Sequence, residues 1–160
     1  MAWKTAAVTP AVRELERHGV AFELAPYTHD PTHESYGLEA AEALGVDPSM
    51  VFKTLVVTGD KMYLTIVPVT HRVSLKLAAA AIGERRLTMS APADAERATG
   101  YVVGGISPFG TRRRLGVIVD ASARDHTTVY VSGGRRGLDI CVAVEDLIRI
   151  CAATVAEIVA

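Results

Sequence analysis

One lysine lies in an apolar segment where packing does not explain the presence of an ammonium group. Lys53 follows Val51 and Phe52 in an apolar, β-branched segment, and strand interiors seldom hold an unpaired cation. Such a lysine can bind a phosphate or act as a nucleophile or base; at a sheet edge it can instead reach water over a buried stem. Alternation along a strand predicts Phe52 and Thr54 on one face and Lys53 on the other.

Residues 100–110, which we call the glycine loop, form a second unusual segment. They include four glycines and Pro108, and three arginines follow at 112–114. Such a loop exposes backbone N–H groups and lets a ligand approach closely, although a tight turn would need the same glycines. It lacks the Gly-Lys-Ser/Thr ending of a Walker loop and the third glycine of a dinucleotide site. Its Ser107 is not in a Gly-x-Ser-x-Gly elbow, which argues against a serine hydrolase.

A second glycine-containing loop carries its own cations. Residues 132–139 hold three glycines around Arg135 and Arg136. Guanidinium groups bind phosphate oxygens through paired hydrogen bonds, so a phosphate-bearing ligand is a natural partner. Asp139 either pairs with one of these arginines or lines the same pocket as Lys53.

Metal and thiol chemistry find little support in the sequence. His29 and His33 have the spacing of helical metal ligands, but Pro31 lies between them and a third ligand is lacking nearby, which favours a polar turn. Cys141 and Cys151 lie among apolar residues and are predicted to be core thiols. We therefore expect neither a metal nor a cofactor.

Composition and charge indicate an ordinary globular protein. The chain has 160 residues, 49% hydrophobic and 22% charged, with a net charge of −1, which fits one domain over 1–160 and argues against a disordered or membrane-spanning chain. Met1–Thr5 lacks the pattern of a secretory signal, so a cytoplasmic location is expected. Residues 53–114 carry ten basic and four acidic side chains. They predict either solvated faces or one basic surface for a phosphate-bearing partner.

Caps, glycine stops and β-branched runs predict the elements that position these groups. Strands and helices alternate without the regular spacing of a doubly wound fold, which favours an α+β class with a mixed, curled, barrel-like sheet flanked by helices. Helices are expected from Pro10 to Gly19 and at Gly37–Leu44, Leu75–Ile82, Ala91–Ala98, Val144–Ile150 and Thr154–Val159. Strands are expected at Val20–Tyr27, Val51–Thr58, Met62–Val67, Val117–Val119, Thr128–Ser132 and Leu138–Val142.

Four segments together resemble the YbaK family of aminoacyl-tRNA deacylases, related to the editing domain inserted in bacterial prolyl-tRNA synthetase. The resemblance runs nearly end to end, and the four motifs stand in the family's order. They are Tyr27-x-His29-Asp30-Pro31, Phe52-Lys53-Thr54-Leu55, Gly100-Tyr101-x-x-Gly104-Gly105-Ile106-Ser107-Pro108-x-Gly110 and Ser132-Gly133-Gly134-x-Arg136-Gly137-Leu138-Asp139.

The resemblance implies roles for individual residues. Lys53 would contact the 3′-terminal nucleotide, and a Gly-x-x-x-Pro loop would place backbone donors near the ester carbonyl. The catalytic positions implied are Lys53, Gly104, Gly105, Ile106, Ser107 and Pro108. The substrate-binding positions are Tyr27, Tyr36, Thr54, Ser132, Gly133, Arg136 and Asp139, and the tRNA-binding positions are Arg112, Arg113, Arg114 and Arg135.

The matching branch of the family is the free-standing type that clears cysteine mischarged onto proline tRNA. It implies that the substrate's own thiol attacks its ester carbonyl group. Alternatives stay open: an alanine-specific deacylase using an activated water, a noncatalytic module that holds aminoacyl-tRNA or a synthetase, or a nucleotide- or phosphate-binding protein. The expected partners are the 3′ end of aminoacylated proline tRNA and, as a candidate, prolyl-tRNA synthetase, with neither DNA nor a membrane.

Overall fold

The computed structural model describes residues 8–33 and 35–160. The segment Met1–Thr5, considered above for a secretory signal, lies outside the described residues. Within them, five α-helices form, none of which is long and apolar enough to cross a membrane. The helices are α1 (Pro10–His18), α2 (Tyr36–Leu44), α3 (Leu75–Ile82), α4 (Pro92–Thr99) and α5 (Val144–Cys151).

Eight strands of the described chain form two sheets. One sheet is antiparallel in the order β1-β7-β6, and the other is mixed in the order β4-β2-β3-β5-β8, where β3/β5 and β5/β8 are parallel. This confirms the α+β class; the strands do not close into one barrel, and a bridge from Val51 to Tyr130 joins the sheets. The strands are β1 (Phe22–Pro26), β2 (Phe52–Thr58), β3 (Met62–Pro68), β4 (Thr88–Met89), β5 (Gly116–Asp120), β6 (Thr128–Arg135), β7 (Leu138–Ala143) and β8 (Thr154–Ala156).

The larger sheet is buried on both faces. The neighbouring residues Val56 and Val57 of β2 belong to different apolar clusters. The Val56 cluster contains residues of both sheets, α1 and α5, whereas the Val57 cluster includes residues of α3 together with Ile158. Burial on both faces accounts for the nearly continuous apolar sequence of β2, β3 and β5.

One sequence prediction is wrong and one strand is missed in this sheet. Residues 154–159 are not a helix, because Thr154–Ala156 pairs in parallel with β5. Ala152 has a positive φ of 48° and ends α5, and the Ile158 N–H donates to the Asp120 carboxylate at 2.9 Å. Strand β4 is missed because two residues are too short to give a periodic pattern.

The glycine loop is held closed and docked onto α1. The Tyr101 hydroxyl donates to the Phe109 carbonyl at 2.7 Å, and the Gly110 N–H donates to the Glu14 carboxylate at 2.9 Å. Gly110 has a φ of +66°, and a Cβ atom there would lie 2.4 Å from the backbone of Pro10. Glycine alone suits both this conformation and this space.

We predict that Gly110→Ala destabilises the protein more than Gly45→Ala does. Both glycines have a φ of +66°, which costs an alanine about 1–2 kcal/mol. Nothing lies within 4 Å of an added Cβ at Gly45, whereas at Gly110 the loop and α1 must also move apart. Urea unfolding measures both variants, and equal losses of unfolding free energy would contradict a tight docking contact.

Candidate active site

A cavity of about 410 Å³ opens where β2, α2, the glycine loop and the β6–β7 hairpin meet. The structure thus brings together motifs that are far apart in sequence, while their assigned roles stay predictions. The predicted site residues that line it are Tyr27, Tyr36, Lys53, Thr54, Gly104, Ile106, Ser132 and Asp139. Those that do not line it are Gly105, Ser107, Pro108, Gly133, Arg112, Arg113, Arg114, Arg135 and Arg136.

The β6–β7 hairpin places Ser132 and Asp139 side by side. They are cross-strand partners, so their side chains share one face of the sheet. A register shift between Ser132 and Arg135 takes up the extra glycines, and irregularities of this kind re-aim the side chains beside them. Gly133 packs instead against Leu138, 2.8 Å from where its Cβ would be.

Asp139 is a buried carboxyl group without a cationic partner. It is 6% exposed, and no ion pair of the described residues includes it. Burial raises the pKa of Asp139 to about 7. Burial and the charge of Asp139 raise the pKa of the nearby Tyr27 phenol to about 12, so this hydroxyl stays protonated. The sequence left two alternatives for Asp139: pairing with an arginine, or lining the same pocket as Lys53. The structure shows the second, since both residues line the cavity.

Burial alternates at the start of β2 as predicted. Phe52 and Thr54 are buried, and Lys53 between them is partly exposed. The Thr54 hydroxyl oxygen is buried with no hydrogen-bond partner among the described residues, which is costly unless a ligand or water satisfies it. Burial lowers the pKa of Lys53, and the charge of nearby Arg72 lowers it further.

Arg72 is a second cation near Lys53; it is exposed, does not line the cavity, and is missed by the sequence motifs. It follows β3, where Pro68 pairs with Phe52 and accepts from the His71 N–H at 3.1 Å. In the described part of the chain, neither Arg72 nor Lys53 forms an ion pair with a carboxylate. Two like charges without a protein counter-ion favour an anionic ligand. The sequence gives no signal of this proximity, because the β2–β3 register pairs Lys53 with Val67 and not with Arg72.

The glycine loop contributes backbone donors to the cavity. The N–H groups of Gly104 and Ile106 have no acceptor among the residues described. Gly104 has a φ of +89°, and a Cβ there would lie 2.8 Å from the Tyr36 ring. The Ser107 hydroxyl is used within the loop, where it accepts from the Phe109 N–H at 3.3 Å.

Glu39 fixes the turn between β1 and α2. Its buried carboxylate lies 2.8 Å from His29 Nδ1 and accepts from the Asp30 N–H at 2.5 Å. Burial raises the pKa of Glu39, but these hydrogen bonds outweigh it, and the pKa falls below its usual value. His33 lies 3.2 Å from the Glu42 carboxylate. Each histidine therefore pairs with a glutamate in the polar turn.

Among the described residues, no thiol lines the cavity, and no hydroxyl that lines it forms a hydrogen bond with a histidine or a carboxylate. The Ser90 hydroxyl bonds to another hydroxyl at 2.6 Å, and Ser132 Oγ accepts from a backbone N–H at 3.2 Å. Cys141 and Cys151 lie outside the cavity, and both are partly exposed rather than fully buried as predicted. Burial raises the pKa of Cys151 to about 12, which keeps this thiol unreactive.

One apolar wall of the cavity is not predicted by the motifs. It is formed by β4 and α4, with Met89 at the mouth, 49% exposed, and Pro92 and Ala95 behind it. Met89 lies on a strand too short to recognise, and Pro92 and Ala95, which lie on the predicted helix, carry no chemical signal.

The arginines after the glycine loop lie away from the cavity. Arg113 lies 3.9 Å from the Met62 sulfur, and Met62 pairs with Thr58, five residues along β2 from Lys53. At about 3.4 Å per residue, this separation along the strand is about 17 Å. The basic run therefore flanks the opposite end of the β2–β3 hairpin.

Comparison with known proteins shows the family to which this chain belongs. Residues 30–150 match the model of the aminoacyl-tRNA editing domain, a span that covers most of the chain. The protein belongs to the aminoacyl-tRNA editing domain family, and the resemblance to YbaK proteins is confirmed.

Individual relatives agree with this assignment. EbsC of Enterococcus faecalis, whose name assigns it as a Cys-tRNA(Pro)/Cys-tRNA(Cys) deacylase, is 32% identical over 157 residues, which cover 97% of this chain and 95% of EbsC. A solved structure described as a trans-editing enzyme for prolyl tRNA synthetase superposes with a TM-score of 0.83 at 24% identity, covering 96% of this chain and 99% of the other. The hypothetical protein APE2540 gives a TM-score of 0.85 at 23% identity, covering 95% and 100%. At these identities, the two structures show a shared fold.

We predict that the Asp139→Asn variant loses less stability than the wild-type protein as the pH rises. The folded pKa of about 7 lies above the unfolded value of about 3.9, so the folded state binds more protons between them. The free energy of unfolding therefore falls as pH rises from about 4 to about 7, and asparagine removes this contribution. Thermal unfolding at pH 5 and pH 8 should show a smaller drop in Tm for Asp139→Asn than for wild type or Ser132→Ala. The same drop in Tm for wild type and both variants would refute this prediction.

Proposed function

We propose that this protein is an aminoacyl-tRNA deacylase that clears cysteine from mischarged proline tRNA in trans. Family membership and the name of the E. faecalis relative support this class of reaction. The observation that carries the proposal is the content of the cavity. It combines a buried carboxyl group of raised pKa with backbone N–H groups that have no acceptor, and no hydroxyl lining it, of the described residues, forms a hydrogen bond with a histidine or a carboxylate.

The charges around the cavity favour one direction for the 3′ end of the tRNA. Lys53 and Arg72 would bind a phosphate of the terminal nucleotides at the mouth. Tyr36 and Met89, 36% and 49% exposed, offer apolar surface for stacking an unpaired base. The aminoacyl group would then point inward, to Asp139 and the glycine loop.

The buried end of the cavity suits a cysteinyl group. A carboxylate with a pKa of about 7 accepts protons near neutral pH, and a thiol has a pKa of about 8.5. Proton transfer from the substrate thiol to Asp139 then costs about 2 kcal/mol. A serine hydroxyl in the same place would remain protonated.

The proposed step needs no nucleophile from the protein. The substrate sulfur attacks its own ester carbonyl carbon, which benefits from intramolecular proximity, and the N–H groups of Gly104 and Ile106 stabilise the oxyanion. The bond from carbon to the ribose oxygen then breaks, and that oxygen takes the proton held by Asp139. The products are tRNA with a free 3′ end and a cyclic thioester of cysteine.

A second candidate function uses the same carboxylate. Because its pKa is close to neutrality, Asp139 could accept a proton from water instead, which would allow deacylation of alanine-charged proline tRNA. With a net charge of −1, the protein would bind tRNA weakly by itself, and prolyl-tRNA synthetase is the proposed source of additional affinity.

We predict that cysteine-charged proline tRNA is deacylated at least about 100-fold faster than serine-charged or S-methylcysteine-charged tRNA. A hydroxyl is a far weaker nucleophile than a thiol at neutral pH, and the methyl group blocks the sulfur. Acid-gel assays of each charged tRNA, with and without protein, give the rates. The Cys141→Ala/Cys151→Ala variant should match wild type, since only the substrate thiol reacts. Rapid deacylation of alanine-charged tRNA would support the water mechanism, and no activity on any substrate would support a binding module.

We predict that Lys53→Ala lowers kcat/KM at least about tenfold, because a charge-assisted hydrogen bond contributes about 1.5–3 kcal/mol. Arg72→Ala should raise KM and shift the alkaline limb of the pH profile upward, since Arg72 lowers the pKa of Lys53. Arg124→Ala, an exposed arginine outside the cavity, is the matched control. A folded Lys53→Ala protein with wild-type kcat/KM would remove Lys53 from the site.

A further inference from the structure

Arg136 directs its hydrogen bonds to the outer side of the glycine loop. Its Nε and Nη2 atoms donate to the Val103 carbonyl oxygen at 3.0 and 2.7 Å. Its guanidinium carbon lies 4.9 Å from the centroid of the Tyr36 ring. Arg136 is exposed and does not line the cavity, whereas Val103, Gly104 and Tyr36 do. Arg136 therefore contacts two residues of the cavity wall without lining the cavity itself.

These hydrogen bonds determine which way one peptide unit faces. In a trans peptide, the C=O and N–H groups point in opposite directions. Because the Val103 carbonyl points to Arg136, the Gly104 N–H points away from Arg136, and Gly104 itself lines the cavity. In the described chain this N–H has no acceptor, so it is free for a ligand.

Gly104 does not fix this orientation by itself. Glycine adopts both signs of φ, and Gly104 has a φ of +89°, so the preceding peptide unit can turn over at little local cost. A turned unit would direct a carbonyl oxygen into the cavity, where it would repel a developing oxyanion. Two charge-assisted hydrogen bonds to one oxygen, with the guanidinium stacked on Tyr36, oppose that turn.

We propose that Arg136 is a positioning residue that holds the Val103–Gly104 peptide with its N–H facing the reacting carbonyl group. This role differs from the direct substrate contact predicted from the sequence. Its kinetic consequence rests on the proposed deacylase function, whereas its structural consequence can be measured without any substrate.

Deacylation of cysteine-charged proline tRNA by Arg136→Lys and Arg136→Ala gives the kinetic test. We expect kcat to fall at least tenfold in both variants, with KM within twofold of wild type and an unchanged salt dependence. Lysine keeps the charge but lacks the planar group that donates twice and stacks on a ring. If Arg136 instead contacts tRNA phosphate, Arg136→Lys keeps its kcat while Arg136→Ala raises KM and flattens the salt dependence. That result would overturn the proposal.

Amide NMR of the free protein gives the structural test. The Gly104 resonance should shift or broaden in Arg136→Lys, but not in the Arg124→Ala control, while Tm stays within a few degrees of wild type. An unchanged Gly104 resonance in folded Arg136→Lys would overturn the positioning role. A wild-type protein that deacylates none of the charged tRNAs would refute the proposed function, and the resonance would still decide the role of Arg136.

Discussion

The buried carboxyl group of Asp139 constrains the rest of the molecule. At neutral pH a large share of it is ionised in a desolvated place, with no cation of the described residues paired to it. A fold that carries such a group loses stability, which other contacts must offset. The larger sheet is suited to do so, since β2, β3 and β5 pack apolar side chains on both faces.

The proposed chemistry depends on the absence of an ion pair at Asp139. An ion pair between Asp139 and Lys53 or Arg72 would hold the carboxylate ionised and lower its pKa. The Tyr27 phenol, which lies close to it, is neutral instead. Under the proposed function, the cavity separates the end where Lys53 would bind a phosphate from the end where Asp139 would exchange a proton near pH 7.

The sequence reveals a functional residue when its side chain does not suit its local surroundings. It misses residues whose positions depend on contacts with distant parts of the chain. Lys53 can be recognised because an ammonium group in an apolar strand has no local explanation, and helix bounds follow from local caps. Arg72 looks like an ordinary turn residue, and the β2–β3 register, which pairs Lys53 with Val67, does not predict that Arg72 lies near Lys53. Residues 154–156 become a strand only because β5 accepts them as a parallel partner. The partner of Arg136, a carbonyl oxygen in another loop, has no sequence signature.

The turn that carries Arg72 is fastened by residues 158–160. The Ala160 N–H donates to the Arg72 carbonyl at 2.9 Å, and the Ser74 N–H donates to the Ile158 carbonyl at 2.6 Å. Contacts between segments so distant in sequence carry a large loop-closure entropy and form late in folding. During synthesis, the β2–β3 hairpin that carries Lys53 can fold early from local contacts. The turn that carries Arg72 gains these two hydrogen bonds only after residues 158–160 have left the ribosome.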